Sequence, residues 1–107
     1  MWYGAMVLSV ADRDHQRPDN ALWEMQIFIV AAEDDREASA MAERLGRQHS
    51  PEYRNQAGEL ISWRFVKVAK VFEIQAEEIV SGTEVFSRFL NKDTAERLLA
   101  SFDPDRL

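Results

Sequence analysis

Apolar and polar residues alternate along the chain in patterns that predict strands. Residues 2–12 are almost continuously apolar, which is typical of a strand with both faces partly covered. Residues 22–32 begin with strict alternation and then become apolar on both faces, which predicts a second strand whose inner half is fully covered. One alternating face of this second strand carries Trp23, Met25, Ile27, Ile29 and Ala31.

A longer apolar stretch predicts the third strand, over residues 59–74. A helix is the rival interpretation, but Ile, Trp, Phe and Val predominate and favour a strand. The alternation changes parity along it, because Trp63 and Phe65 share one parity while Val68 and Phe72 share the other. This change predicts a bulge or a sharp bend near residues 66–69. After an acidic link that ends at Gly82, residues 83–90 alternate again and predict a fourth strand.

Helical periodicity follows the second predicted strand. Asp34 and Glu37 have the spacing of a capping box, which marks a helix start. The helix is expected to end before Pro51, which cannot continue it. Four apolar residues then share one face of this helix: Ala38, Met41, Ala42 and Leu45.

A second capping box is formed by Asp93 and Glu96, and a short apolar stripe ending at Phe102 follows it. This predicts a short second helix, which Asp103-Pro104-Asp105 is expected to end.

Together the elements predict an α+β fold, a single domain over residues 1–107. It has an antiparallel four-stranded sheet in ββαββα order, with strands two-one-three-four side by side and one main helix packed on a sheet face. The other sheet face is hard to cover with the remaining residues, so we expect self-association, in the simplest case as a homodimer.

Composition narrows the classes of function. The net charge is −6, with 19 acidic and 13 basic residues spread along the chain, so neither nucleic acid nor a membrane is an expected partner. With no cysteine there is no disulfide or thiol nucleophile, and His15 and His49 lack a metal-ligand spacing. We therefore expect no metal and no cofactor. No signal peptide or membrane-length apolar run is recognisable, and we expect a cytoplasmic protein.

Several stretches of the chain stand out together. They are Trp63-Arg64-Phe65-Val66-Lys67-Val68, then Val71-Phe72-Glu73-Ile74, then Gly82-Thr83-Glu84-Val85-Phe86-Ser87-Arg88-Phe89, with Trp2-Tyr3 in the first strand. These stretches resemble a small bacterial family of stand-alone domains of unknown function. The segment from Gly82 to Arg88 is the most specific of them. The resemblance implies one bacterial domain of this length, and it implies no activity and no functional residues.

The best candidate for a ligand site is a polar group formed by Arg64, Glu84 and Arg88. Glu84 and Arg88 lie on one side of the predicted fourth strand and Arg64 on the third, with Phe86 as an apolar floor. The simpler interpretation is a set of cross-strand charge pairs on a solvated face. Likewise, Trp2, Trp23 and Trp63 are either pocket residues or ordinary core residues.

Three hypotheses of function follow. The first is a non-catalytic protein-binding module, an adaptor or an immunity-type inhibitor of a partner protein. The second is a small-molecule binder or small enzyme that uses the polar group. The third is a structural homodimer without a ligand. Small size, acidity and aromatic strands without a catalytic motif favour the first.

Overall fold

The computed structural model describes residues 1–102; residues 103–107, with the predicted helix end at Asp103-Pro104-Asp105, lie outside the described part. The elements follow one another as two strands, a helix, two strands and a helix. Their bounds are β1 Trp2–Arg13, β2 Trp23–Ala31, α1 Asp35–Gln48, β3 Glu52–Arg54, β4 Leu60–Ile74 and α2 Lys92–Phe102.

The four strands form one antiparallel sheet in the order β2-β1-β4-β3. The predicted α+β class is therefore confirmed, with β1 central as its apolar sequence indicates. The predicted strand over residues 83–90 is wrong, because this segment has no regular secondary structure. The fourth strand is instead β3, a three-residue strand between the first predicted helix and the third predicted strand.

The predicted irregularity of the long strand is confirmed. The register between β1 and β4 shifts twice, between Met6 and Val7 and again between Leu8 and Ser9. The residues of β4 that are skipped are Val66 and Ala69, so each shift places one extra residue on β4. These bulges return the apolar side chains to the covered face after the parity change in the sequence.

Helix α1 covers one face of the sheet and begins where the capping box predicts. The side chain of Asp34 accepts a hydrogen bond from the backbone N–H of Glu37 at 2.8 Å. Ala38 and Ala42 are completely buried against β1 and β2, with Met41 and Leu45 packed beside them. Small side chains at the contact allow the helix axis to lie close to the strands.

Helix α2 begins earlier than predicted. Its cap is Asn91, whose side-chain oxygen accepts a hydrogen bond from the N–H of Thr94 at 2.8 Å, whereas Asp93 lies within the first turn. Asn is as good an N-cap residue as Asp, and the helix starts after the first of these two residues in the sequence. Within the described residues, α2 contacts no other helix or strand.

The main core lies between α1 and the sheet, and Tyr3 is its largest fully buried side chain. Burial raises the pKa of the Tyr3 phenol above its ordinary value of 10.0, and the carboxylates of Asp35, Glu73 and Asp34 raise this pKa further. The fold therefore favours the neutral phenol over the phenolate.

This preference predicts a loss of stability at alkaline pH. The stability that the fold gains from the neutral phenol is fully present below pH 10. It is lost as the pH rises through the raised pKa of Tyr3 in the folded state. The variant Tyr3→Phe has no group to ionise there, so its denaturation midpoint should fall less steeply above pH 10 than that of the wild type. Urea titrations of both proteins over this range measure the difference, and parallel declines would contradict the assignment.

Candidate functional site

The three residues of the predicted polar group do not come together. Arg64 lies on β4, where its Nε is 3.7 Å from Oδ2 of Asp12, a carboxylate that also pairs with Arg17 at 2.9 Å. Arg88 is exposed and has no salt bridge or side-chain hydrogen bond to any residue in the range 1–102. Since residues 83–90 form no strand, the cross-strand charge pairs expected of Glu84 and Arg88 are also absent from the described part of the chain.

Glu84 lines an open cleft of about 440 Å³ between β4 and the segment that follows Gly82. Phe86 forms one wall of this cleft, with its ring centroid 4.7 Å from that of Phe72. The ammonium group of Lys70 lies 5.1 Å from the Phe86 ring, a cation–π contact. The cleft thus holds a mixture of charges on an aromatic wall.

Arg64 is too distant to share this cleft. Arg64 is opposite Val10 and Lys70 is opposite Met6, and these partners are four residues apart on β1, roughly 13 Å along the strand. Of the three predicted site residues, only Glu84 lies at the cleft.

The tryptophans also lie apart from one another. Trp2 donates its indole N–H to the backbone oxygen of Glu77 at 3.2 Å, at one end of the sheet. Trp63 donates to the hydroxyl of Tyr53 at 3.4 Å, near the other end. Trp23 is on β2 and is half exposed. The three tryptophans therefore do not line one common pocket.

The most extensive unusual surface is on β2, whose outward side chains form an exposed apolar row. This row consists of Trp23, Met25, Ile27 and Ile29, which are 52%, 57%, 47% and 46% exposed. The prediction that the inner half of this strand is fully covered is wrong on this side. Met6 and Leu8 of β1 lie beside Ile27 and Met25 and extend the apolar face. Helix α1 is on the opposite side, packed against Tyr3 and Val30.

Strand β2 is also an edge of the sheet, because its only hydrogen-bonded neighbour among the described strands is β1. We refer to the free edge of β2 together with the row Trp23, Met25, Ile27 and Ile29 as the β2 surface. Glu24 is the single charged residue in this strand. The sequence predicts an uncovered sheet face but does not locate it. The signal that could have located this face is the single charge in the nine residues of β2.

Among residues 1–102, no group of three or more His, Cys, Asp or Glu side chains is placed to hold a metal ion. In the same part of the chain no helix has the length and apolar character needed to cross a membrane. The Nδ1 atom of His49 is 3.0 Å from the backbone oxygen of Leu45, at the end of α1.

The fold and its surface define a small α+β domain with an exposed apolar row on an edge strand. Residues 2–87 match the family model described as Domain of unknown function (DUF4288), and the chain belongs to this family. The resemblance found in the sequence is thereby confirmed, and the match extends through the segment from Gly82 to Ser87. No curated protein and no solved structure matches the chain.

Proposed function

We propose that the protein is a non-catalytic protein-binding module that binds through its β2 surface. The observation that carries this proposal is the exposed row of Trp23, Met25, Ile27 and Ile29. Single exposed apolar residues are common on soluble proteins, but contiguous apolar patches usually mark interaction sites. Four large side chains in one row on one strand belong to the second kind.

The chemistry of this row is that of a protein interface. Trp and Met are enriched in the central parts of protein interfaces, and charged residues are depleted there. An open, flat row of this kind suits a protein partner, whereas small molecules are usually held in concave sites that bury most of their area. The open cleft beside Glu84 lies on β4 and is separate from this row.

The proposal predicts that charge placed in the row abolishes protein binding without unfolding the domain. Met25 and Ile29 are exposed, so the double variant Met25→Lys/Ile29→Lys should change the free energy of unfolding by less than about 1 kcal/mol. Lysines in the row would have to be desolvated on binding, which is unfavourable when no partner charge is present.

The experiment compares tagged forms of the protein expressed in the cell that produces it, with bound proteins, including untagged copies of this chain, quantified by mass spectrometry. The matched control is Gln56→Lys/Ala57→Lys, which adds the same charge to the exposed loop before β4. We expect the wild type and the control to retain the same bound protein and the row variant to lose it. Equal recovery by all three forms, or no bound protein with the wild type, would overturn the proposal.

A further inference from the structure

The free edge of β2 has backbone groups that point away from the sheet. The oxygen of Leu22 accepts a hydrogen bond from the N–H of Ala11, and the N–H of Ala32 donates to the oxygen of Met1, both at 2.9 Å. The register between β1 and β2 has no shift between these two points. In an antiparallel ladder alternate residues bond to opposite sides, so the N–H and C=O groups of odd-numbered residues of β2 point to the free edge.

This edge lacks the features that usually prevent strands from pairing with other molecules. Natural edge strands are protected by short length, lysine, proline or bulges. Strand β2 has nine residues, a regular register, no lysine and no proline. The other side of the sheet is protected: β3 has only three residues, and β4 beyond it carries two bulges together with Lys67 and Lys70. This difference between the two sides of the sheet indicates that a partner covers the β2 side.

The sequence of β2 is complementary to itself in one antiparallel register. In a two-fold arrangement centred on Ile27, Trp23 lies opposite the partner's Ala31 and Met25 lies opposite the partner's Ile29. The outward backbone groups of the odd-numbered residues then face each other, and apolar side chains meet apolar side chains on one side of the sheet. Glu24 lies opposite the partner's Val30, so the like charges of the two strands are not opposed.

We propose that β2 pairs with β2 of a second copy about a two-fold axis at Ile27, joining the two sheets into one continuous sheet. This inference rests on the proposed function and names the partner, a second copy of this chain. The arrangement pairs every residue of the strand, satisfies its free backbone groups and places both α1 helices on the same side. A closed two-fold pairing leaves no further β2 edge for a third molecule.

Removal of one outward N–H group tests the pairing. Proline at position 27 eliminates a donor that has no partner within the described chain, and proline is tolerated on edge strands at such positions. Sedimentation at micromolar concentration should give twice the 12.4 kDa mass of the monomer for the wild type and for Ile27→Val, and the monomer mass for Ile27→Pro. A monomeric wild type, or a folded Ile27→Pro variant that is still dimeric, would overturn the inference.

Cross-linking tests the register without depending on the proline variant. The chain has no cysteine, so single cysteines are unique sites. A mixture of Met25→Cys and Ile29→Cys should cross-link efficiently, because opposite residues are about 5.5 Å apart between Cα atoms. Met25→Cys alone should cross-link at least several-fold less with a short reagent, since its two copies would be roughly 13 Å apart. Equal yields would contradict the register.

The two proposals can fail separately. If the wild type is monomeric but retains a different protein that Met25→Lys/Ile29→Lys loses, the β2 surface is a binding site and the second copy is not its occupant. If the wild type is monomeric and the row variant loses nothing, both proposals are wrong.

Discussion

Replacement of Ala42 by leucine should lower the free energy of unfolding by about 3 kcal/mol, whereas Ala40→Leu should change it by less than about 0.5 kcal/mol. Ala42 is completely buried against Ala5 and Val7, and Ala40 is exposed on the other side of the same helix. The change in helix propensity is the same at both positions, so the difference reports packing alone.

The magnitude follows from the close approach of α1 to the sheet. One turn after Ala42, a Cβ atom on Gly46 would lie 2.6 Å from Cδ2 of Phe65, so the helix has no room to accept added atoms. Leucine at Ala42 would force the helix away from β1 or push its own side chain out of a favourable rotamer. Urea denaturation followed by circular dichroism measures both variants, and equal effects at the two positions would show that α1 is not held tightly against the strands.

Truncation of Tyr3 to alanine should have an effect of similar or larger size, about 4 kcal/mol. The Tyr3 side chain is 2% exposed and packs against Val30, Ala32 and Ala38, so its removal leaves a cavity between α1 and the sheet. Domains of this size are stable by only about 5–15 kcal/mol, and the variant should therefore be close to unfolding at room temperature.

Tyr53→Ala is the matched control, because Tyr53 is 48% exposed at the edge strand β3 and should lose less than about 1 kcal/mol. Denaturation midpoints of the two variants measure the difference. If Tyr3→Ala does not fold at all, Tyr3→Phe, which keeps most of the volume, should restore a cooperative transition at neutral pH. Similar losses at Tyr3 and Tyr53 would be inconsistent with a core centred on Tyr3.

The elements that the sequence predicts correctly depend on local signals. Asp34 and Glu37 locate the start of α1 because capping involves only residues three apart. The bulges of β4 are predicted because an extra residue changes the parity of the apolar side chains, which is visible in the sequence itself.

The errors in strand prediction concern contacts between segments. The residue pattern of a single segment does not show which strand edges are free to pair with it. Residues 83–90 alternate like a strand, but they form no ladder with β4, and Phe86 instead packs its ring against Phe72 at 4.7 Å between centroids. Strand β3 has no apolar alternation and is formed by the turn that follows it. In this turn Asn55 accepts a hydrogen bond from Gly58, which has a φ of 81°.

The predicted polar group depended on the same missing information. Arg64, Glu84 and Arg88 were grouped on the assumption that residues 83–90 lie beside β4 as a strand, and without that strand only Glu84 reaches the cleft. The β2 surface was missed because alternation identifies the two sides of a strand but not which of them a helix will cover.

Helix α2 lies apart from the sheet, so the chain has two regions that unfold in different ways. The radius of gyration is 16.7 Å, against about 13 Å for a compact domain of this length, and α2 contacts no other described helix or strand. Strands β1, β2 and β4 share buried contacts with α1 and lose them together, as one cooperative unit. Helix α2 has eleven residues, fewer than the ~12–15 that an isolated helix needs in water, and its helicity is therefore set by the local helix–coil equilibrium. The family match ends at residue 87, before α2 begins, so the matched region contains the whole cooperative unit.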